Sequence, residues 1–400
     1  ILDHFIPHYS GYTFRTKAIL QHQQRLGVEL ALLISPKHSD SLPQTEAIDG
    51  LTCFRSQSLN GKIKAPFIRE LALMNRFQSD ILRVATAKHP DILHAHSPLL
   101  NGFPALKAGR KLKIPVIYEV RALWEDAAVD IGHTKDGSLR YKLTRYLETD
   151  LLKKVDCIIT ICDGLKQELV KRGINPDKIH IVPNGVDTER FRPIPSNPEL
   201  TFQYRLQGKK VIGFISSFYK YEGLALLLKA MPKIIAALPD VVLMLVGKGE
   251  VEQKIKNLSA AMRLQENVIF TSQVPNDRIQ DYYSIMDLLV YPRDKIRLTD
   301  LVTPLKPLEA MAMGKALLGS DVGGIREITL DGTIGVLYNA CDANDLAEKC
   351  VQILKDDRRR QELGEAGINY VKSQRNWEAI VKNELEIYRS LLEGKNAQNN

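Results

Sequence analysis

Segments with strand character alternate with segments of helical periodicity along most of the chain, and this alternation constrains the fold more than any other feature. Short apolar runs such as VELALLISP (28–36) and PVIYEV (115–120) are separated by stretches whose apolar residues recur at helical spacing. The alternation restarts after Phe191 with VIGFISSF and VVLMLVG. Two series of such units predict an α/β protein of two doubly wound domains.

The segment FRPIPSNPEL, rich in Pro and Asn, separates the two series. We therefore predict a first Rossmann-like domain over 1–190, a linker over 191–200 and a second Rossmann-like domain over 201–373. The last helical pattern, over 374–395, is amphipathic and needs a surface to pack on. Ligands of such sheets bind beyond the carboxyl ends of the strands, so we expect the site in a cleft between the two domains.

Composition narrows the class of protein. The chain has 400 residues, of which 44% are hydrophobic and 26% charged, as in proteins with large cores. It contains no apolar run long enough to predict a membrane-spanning helix. Its five scattered cysteines form no CxxC pair, which indicates neither a zinc site nor a disulfide framework and favours a reducing cytoplasm. The net charge of +8 favours an anionic partner, namely a nucleotide, a phospholipid surface or a nucleic acid.

The loop VTPLKPLEAMAMG carries the most informative polar residues. Thr303 is a good helix N-cap, and Pro304 suits the first helical position. The N–H groups of Leu305 and Lys306 would then lie at a helix N-terminus, where an anion is favoured. Glu309 follows one turn later, where its carboxylate could accept hydrogen bonds from two ribose hydroxyls. The pattern predicts a nucleotide site, and the alternative is a capped surface helix with an incidental Lys and Glu.

Several longer motifs follow one another in a fixed order. They are RYLETDLLKKVDCIITICDGLKQEL (145–169), VPNGVDTERF (182–191), LVGKGE (245–250), NVIFTSQV (267–274) and PLEAMAMGKALLGSDVGG (307–324). Together they resemble the GT-B glycosyltransferases, especially glycosyltransferase family four. The resemblance implies two Rossmann-like domains that face each other across a cleft, an acceptor-side first domain and a nucleotide-sugar-binding second one. It also implies that the C-terminal helix packs back toward the first domain.

Two further motifs, SGYTFRTKAIL (10–20) and YEVRALWEDAAVDIG (118–132), resemble a bacterial subgroup associated with exopolysaccharide gene clusters of the heterocyst-envelope and exosortase-linked types. The family resemblance implies retaining transfer of a hexose from a nucleotide diphosphate donor, by family frequency a UDP-sugar such as UDP-glucose, and the expected acceptor is a glycan or lipid-linked sugar. The alternatives are a catalytically weak partner subunit with the same fold and a sugar-nucleotide epimerase.

The resemblance also assigns roles to residues on the donor side. It places Glu309 at the donor ribose and Gly11, in the loop after the first strand, against the donor diphosphate. Gly247 ends the LVGxG strand, and Val274 ends the strand beside the donor base. Arg15, one turn into the first helix, is either a phosphate contact or a surface residue.

The chain departs from the family at charged donor positions. Leu301 stands where the family commonly has the first of two glutamates, and the neighbouring Asp300 is a candidate replacement. Ser217 and Glu222 stand on the loop ISSFYKYEG, where the family tends to place an Arg and a Lys that hold the diphosphate. Lys220 lies on the same loop.

A leaving diphosphate needs cationic support, so the missing charges have to come from elsewhere. The segment YPRDKIRLTDLVTPLK offers Arg293, Lys295, Arg297 and Lys306. We predict that Lys306, helped by Arg293, replaces the lost pair, while a solvated charged loop is the alternative for the arginines.

On the acceptor side, His94 and His96 end the strand DILHAHSP at a spacing that metal ligands also use. Without an evident third ligand, histidines hydrogen-bonded in the cleft wall are the favoured interpretation. His96, Glu119 and Arg121 are the predicted catalytic residues, and Arg121 stands where the family often has a histidine. No DxD motif ends a strand, so we expect neither a metal nor another cofactor.

Basic residues are dense in two helical segments of the first domain. They suggest peripheral contact with an anionic membrane at the inner face of the cell membrane, where a lipid-linked acceptor would reside, and solvated helix faces are the alternative. Nucleic acid is excluded as a partner because the charges lack interleaved aromatic residues and belong to no nucleic-acid-binding module. These residues are Lys107, Arg110, Lys111 and Lys113 in one segment, and Arg140, Lys142 and Arg145 in the other.

Overall fold

The computed structural model describes residues 1–8, 10–38, 42–59, 65–130 and 132–399. The chain folds into two compact units, Ile1–Pro183 with Trp377–Asn400, and Asn184–Asn376. The segment 191–200, which we predicted to be a linker, lies inside the second unit. The reason is physical, because the side chains of Phe191 and Leu200 are buried in the core of that unit.

The first unit contains two sheets. A three-stranded sheet has the order β1-β3-β2, with β2 antiparallel to β3, and a four-stranded parallel sheet has the order β4-β5-β6-β7. Every residue of β5 and β6 is buried, as expected for parallel strands covered on both faces. The strands are β1 (Ala31–Ile34), β2 (Thr45–Ile48), β3 (Leu51–Arg55), β4 (Leu93–His96), β5 (Val116–Val120), β6 (Cys157–Thr160) and β7 (Ile179–Ile181).

The first residues of the chain join these two sheets. The N–H of Leu2 donates to the carbonyl of Leu33 in β1 at 2.9 Å, and the N–H of His96 in β4 donates to the carbonyl of Ile1 at 2.9 Å. The ends of β1 and β4 are thereby held at one edge of the unit.

Helices follow the strands of the first unit. Two of them have side-chain caps, since the Ser10 hydroxyl accepts from the Thr13 N–H at 3.3 Å and the Ser138 hydroxyl accepts from the Tyr141 N–H at 3.2 Å. The helices are α1 (Gly11–Arg25), α2 (Pro66–Lys88), α3 (Leu99–Leu112), α4 (Trp124–Asp130), α5 (Leu139–Lys154) and α6 (Asp163–Lys171).

The second unit is built on one six-stranded parallel sheet with the order β10-β9-β8-β11-β12-β13. All residues of β9 and β11 are buried. The prediction of two doubly wound α/β domains is confirmed. The strands are β8 (Lys210–Ile215), β9 (Val241–Val246), β10 (Val268–Phe270), β11 (Leu288–Tyr291), β12 (Ala316–Ser320) and β13 (Val336–Tyr338).

The helices of the second unit precede the last helix of the chain, α16, which belongs to the first unit. They are α7 (Pro198–Gln203), α8 (Leu224–Ala237), α9 (Glu252–Ala261), α10 (Ile279–Ser284), α11 (Arg297–Leu301), α12 (Lys306–Ala312), α13 (Gly323–Thr329), α14 (Ala343–Lys355) and α15 (Asp357–Gln374), followed by α16 (Trp377–Asn399). Short 3-10 turns lie at Pro36–His38, Pro176–Lys178, Lys220–Glu222 and Asn276–Arg278.

Helix α16 packs on α1. The Gln23 side-chain amide donates to the Glu384 carboxylate at 3.0 Å and to the Tyr388 hydroxyl at 3.1 Å. Gln23 and Glu384 are both buried, so these hydrogen bonds fix the register of the two helices.

A buried acidic pair lies beneath α4 and α5. The Tyr118 hydroxyl donates to the Glu148 carboxyl at 3.1 Å, and the Arg172 guanidinium lies 2.5 Å from Glu125. Burial, and then the nearby Glu125 carboxylate, raise the pKa of Glu148 to about 8. The folded protein therefore keeps a proton on Glu148 at pH values where the unfolded chain has lost it.

We predict that Glu148→Gln flattens the pH dependence of stability. Because the folded-state pKa lies above the unfolded one, the stabilisation from the bound proton is complete below the unfolded pKa and is lost as pH rises toward about 8. The free energy of unfolding should fall in this window by up to about 1.4 kcal/mol per pH unit in the parent, and this component should vanish in the variant.

Both tryptophans, Trp124 and Trp377, lie in the first unit, so their fluorescence during urea unfolding measures this unit alone. Glu386→Gln, which changes an exposed carboxylate of the same unit, is the matched control. Equal pH slopes for the parent and Glu148→Gln would contradict the prediction.

Candidate functional site

One buried carboxylate organises the carboxyl edge of the first unit. Glu119 lies near the end of β5, directly opposite His96 at the end of β4. Arg15 of α1 donates from Nε and Nη2 to Glu119 Oε1 at 3.2 and 3.0 Å. Arg121 donates from Nε to Oε1 at 3.0 Å and from Nη2 to Oε2 at 3.2 Å. The carboxylate thus binds two guanidinium groups that are themselves buried.

Two histidines complete the surroundings of this carboxylate. The Nε2 atoms of His94 and His96 lie 3.3 and 3.2 Å from Glu119 Oε2. Their Nδ1 atoms lie 2.6 Å from the Tyr388 hydroxyl and 3.1 Å from the Tyr12 hydroxyl, respectively. Both rings are therefore held through Nδ1 by a tyrosine hydroxyl, while the buried Nε2 of His94 lies near the carboxylate without forming a hydrogen bond.

The charges settle the protonation states of the group. Burial would raise the pKa of Glu119, but the charges of Arg121 and Arg15 outweigh it and hold that pKa well below its usual range. Burial and then the Arg121 charge lower the pKa of His96. The group consequently combines an ionised carboxylate, two guanidinium ions and a neutral His96.

The structure brings together His96, Glu119 and Arg121, the residues that the sequence predicted on the acceptor side. It corrects the surface alternative for Arg15, whose side chain is buried. Besides Glu119, the Arg15 guanidinium donates to the carbonyls of Pro183 at 2.7 Å and Val182 at 2.6 Å. Because its N–H groups donate to protein oxygens, the charged Arg15 side chain can be buried here.

The sequence alone did not identify Glu119 as a third potential metal ligand beside His94 and His96. Among the described residues, His94, His96 and Glu119 offer three metal-type ligand atoms within 4.8 Å of one another. The signal was available, since HAH and YEV both end parallel strands, but the pairing of β4 with β5 was needed to connect them. A cation bound to Glu119 would face Arg15 and Arg121 on the same carboxylate, so the guanidinium groups already supply the charge that a metal would bring.

We predict that Glu119→Gln destabilises the first unit by about 3–5 kcal/mol, because it leaves two buried guanidinium ions without their counter-charge. Urea unfolding followed by tryptophan fluorescence measures the loss. The matched control is Glu384→Gln, also buried, where burial raises the pKa of the carboxyl and an amide replaces a group that favours its neutral form. Equal losses in the two variants would show that charge compensation is not the reason.

The predicted donor residues of the segment 303–309 lie around the start of α12 in the second unit. This helix begins at Lys306, so the prediction that Thr303 caps it is wrong, and Pro307 rather than Pro304 lies in its first turn. The Asn184 side-chain amide donates to the Thr303 carbonyl at 2.9 Å and lies 3.3 Å from its hydroxyl. This buried contact holds Thr303 outside the helix.

Lys306 and Glu309 lie together on one face of α12, as their spacing predicted. The Lys306 ammonium donates to both carboxylate oxygens of Glu309, at 3.0 and 2.9 Å. The Tyr283 hydroxyl donates to Glu309 Oε2 at 3.1 Å, a partner that the sequence did not reveal. Both charged side chains keep solvent access, with side-chain exposures of 31% and 16%.

Arg293 is buried, so the interpretation as a solvated loop residue is wrong for it. Its Nη1 donates to the Val302 carbonyl at 3.3 Å, and its Nε lies 3.7 Å from Glu222. Burial raises the pKa of Glu222 against the opposing Arg293 charge. The acid that stands at the family's cation position is therefore the partner of Arg293.

The other donor-side expectations concern Asp300 and the loops after β8, β9 and β10. Asp300, the candidate replacement for the missing glutamate, accepts from the Gly323 N–H at 3.0 Å at the start of α13. Ser217 and Lys220 lie exposed after β8, and Gly247 and Val274 follow β9 and β10. Gly247 has φ 141°, and a Cβ there would come within 2.0 Å of the Ser216 carbonyl oxygen, so the position requires glycine.

Comparisons with known proteins agree with this architecture. The family model described as Glycosyltransferase Family 4 matches residues 9–190, and the one described as Glycosyl transferases group 1 matches residues 196–370. A GDP-mannose-dependent alpha-mannosyltransferase of Corynebacterium glutamicum is 24% identical over 400 residues, which cover 98% of this chain and 88% of that protein.

Two solved structures have similar folds. Sucrose-phosphate synthase from Thermosynechococcus elongatus matches with a TM-score of 0.76 at 20% identity, covering 96% of this chain and 94% of that one. Anabaena HepE in complex with UDP-glucose matches with a TM-score of 0.73 at 14% identity, covering 97% and 98%.

The two parallel sheets and the matched models define a glycosyltransferase with the GT-B fold. The two family models together span most of the chain, and the enzyme is a nucleotide-sugar-dependent glycosyltransferase.

Proposed function

We propose that this enzyme is a retaining hexosyltransferase that uses a UDP-sugar, such as UDP-glucose, and transfers the sugar to a glycan or lipid-linked acceptor in bacterial exopolysaccharide synthesis. The observation that carries the proposal is the pair Lys306 and Glu309 at the start of α12, where a cation and a carboxylate face the same side. The UDP-glucose complex of Anabaena HepE supports the choice of donor. A GDP-sugar is the competing donor, since the Corynebacterium glutamicum relative is GDP-mannose-dependent.

A nucleotide diphosphate can use the two halves of this pair separately. The Glu309 carboxylate suits two ribose hydroxyls, and the Lys306 ammonium suits a phosphate oxygen. Since the two groups neutralise each other when no ligand is bound, a nucleotide would replace one ion pair with contacts of matching charge. Tyr283 would keep Glu309 in position during this exchange.

The remaining donor-side residues would surround the diphosphate and the base. Arg293 lies beside Glu222 and the Val302 carbonyl, so its position is fixed before the donor binds. Lys220 is exposed on the loop after β8 and is the next candidate cation. The further proposed donor contacts are Gly11, Ser217, Gly247, Val274, Thr303, Pro304 and Leu305.

On the acceptor side we propose that His96, Glu119 and Arg121 line the site. The hydrogen bonds from Arg121 to Glu119 and the position of His96 Nε2 at 3.2 Å from Glu119 would orient an acceptor hydroxyl without rearrangement of charges. In a retaining reaction the leaving phosphate would accept the proton of the acceptor hydroxyl, which attacks from the same face of the sugar. The bond from the anomeric carbon to the phosphate oxygen breaks as the bond to the acceptor oxygen forms.

Two alternatives follow from the residues that depart from the family. Leu301, Ser217 and Glu222 remove charges that an active transferase commonly has, which favours a catalytically weak partner subunit. A sugar-nucleotide epimerase is the other alternative. Incubation of UDP-glucose and GDP-mannose with and without acceptor extracts distinguishes them, because a transferase releases nucleoside diphosphate, an epimerase yields an isomerised sugar nucleotide and a weak partner does neither.

We predict opposite binding profiles for two substitutions at the start of α12. Glu309→Gln should weaken uridine and UDP alike, because both carry the ribose. Lys306→Ala should leave uridine binding unchanged and weaken UDP about tenfold to a hundredfold, the loss expected for one charge-assisted phosphate contact. Isothermal titration calorimetry measures both affinities.

Lys295→Ala, an exposed cation of the same loop, is the matched control and should bind both ligands as the parent does. If Lys306→Ala weakens uridine and UDP equally, Lys306 maintains the shape of the loop. If neither affinity changes, the phosphate contact lies elsewhere and the weak-partner alternative gains support.

We also predict that the reaction requires no divalent metal. Helix-end N–H groups and the cations Lys306 and Arg293 are the proposed support for the leaving diphosphate. Sugar transfer should persist after dialysis against EDTA and should not rise when Mg²⁺ or Zn²⁺ is returned. Loss of activity that Mg²⁺ restores would reject this part of the proposal.

A further inference from the structure

Three large hydrophobic side chains lie exposed on one face of α5. Leu139 is 84% exposed, Leu143 46% and Tyr146 68%. Their spacing of four and then three residues places them in a single row along the helix. We call this row the α5 stripe.

The opposite face of α5 fixes the orientation of the helix. Leu151 and Leu152 are fully buried, and the buried Tyr141 hydroxyl donates to Asp126 at 2.8 Å. The Glu148 carboxyl binds the Tyr118 hydroxyl beneath the helix. The α5 stripe therefore cannot turn inward without breaking buried hydrogen bonds, and it remains exposed in the folded unit.

Basic side chains flank the α5 stripe. The helix LRYKLTRYLETDLLKK carries five basic and two acidic residues. Of the two acids, Glu148 is buried and Asp150 pairs with Lys154 at 2.5 Å. Arg140, Lys142 and Lys153 are exposed around the stripe. An apolar row edged by positive charge complements a surface that is apolar below a layer of negative charge.

We propose that α5 lies in the surface of an anionic phospholipid bilayer, with Leu139, Leu143 and Tyr146 inserted at the boundary between headgroups and acyl chains. Interfacial helices of this kind combine an apolar face with Lys and Arg that attract anionic lipids. No helix among the residues that the structure describes is long and apolar enough to span a membrane. The contact is with one leaflet and does not rest on the proposed donor chemistry.

The charge pattern favours lipid over a protein partner. A second copy of this chain would bring the same basic residues against Arg140, Lys142 and Lys153, and like charges would oppose the contact. Anionic headgroups would neutralise all three. The inference therefore commits to a bilayer, and self-association is an outcome of the test.

The test is sedimentation of the full chain with vesicles. One vesicle type contains phosphatidylglycerol and phosphatidylcholine, and the other contains phosphatidylcholine alone. The parent should bind the anionic vesicles and bind the neutral ones at least about tenfold more weakly, and added salt should reduce binding. The triple variant Leu139→Ser, Leu143→Ser and Tyr146→Ser should lose at least about tenfold in partition to anionic vesicles.

Two further variants separate apolar insertion from other effects. Arg140→Gln with Lys142→Gln should weaken binding to anionic vesicles only. Phe202→Ser removes a side chain that is 78% exposed on α7 of the second unit, and it should bind as the parent does. Tryptophan fluorescence and nucleotide affinity, unchanged in all variants, would show that both units remain folded.

Several results would overturn the inference. They are failure of the parent to bind anionic vesicles, equal binding by the parent and the triple variant, and equal binding to the two vesicle types. A parent that dimerises in analytical ultracentrifugation while the triple variant stays monomeric would instead identify the α5 stripe as an interface between copies.

Discussion

The first unit depends on the ion pairs that the buried Glu119 carboxylate forms with two arginines. This carboxylate accepts hydrogen bonds from Arg15 of α1 and from Arg121 in the loop after β5. The imidazoles of His94 and His96 in β4 lie against the same carboxylate. Burying a charge is costly unless it is paired, so none of these groups can move alone. The carboxyl edge of this unit is therefore organised before any ligand arrives. The hydroxyls of Tyr12 in α1 and Tyr388 in α16 bind the two histidines and so connect these helices to the same group.

The second unit contains one buried ion pair and one partly exposed ion pair near the proposed donor site. Arg293 and Glu222 are buried, and their position is set by packing. Lys306 and Glu309 are partly exposed, and an exposed pair contributes little to stability, so its partners can be exchanged at small cost. This difference fits the proposed donor site. There the buried pair would stay in place, while Lys306 and Glu309 would exchange each other for phosphate and ribose.

The sequence predicts features that depend on local spacing. Alternating strand and helix periods predicted the two α/β domains, and the three-residue interval between Lys306 and Glu309 predicted that they share a face. Features that depend on distant partners were missed. Thr303 has the chemistry of a cap, yet Asn184, more than a hundred residues earlier, holds it outside α12. Likewise the sequence left Arg15 as either a phosphate contact or a surface residue, and only the packing of α1 against the end of β5 places Glu119 beside it.

Glu222, which departs from the family pattern, has to be interpreted together with Arg293. An acid at position 222 in place of a cation would leave a buried carboxylate without compensation if Arg293 were absent. Arg293 lies within 3.7 Å and opposes the effect of burial on the pKa of Glu222. Arg293 is therefore the counter-charge that makes a buried acid tolerable at position 222. Arg293 is held by Glu222 and the Val302 carbonyl, whereas Lys306 is partly exposed, and this difference is why we propose Lys306 as the phosphate ligand.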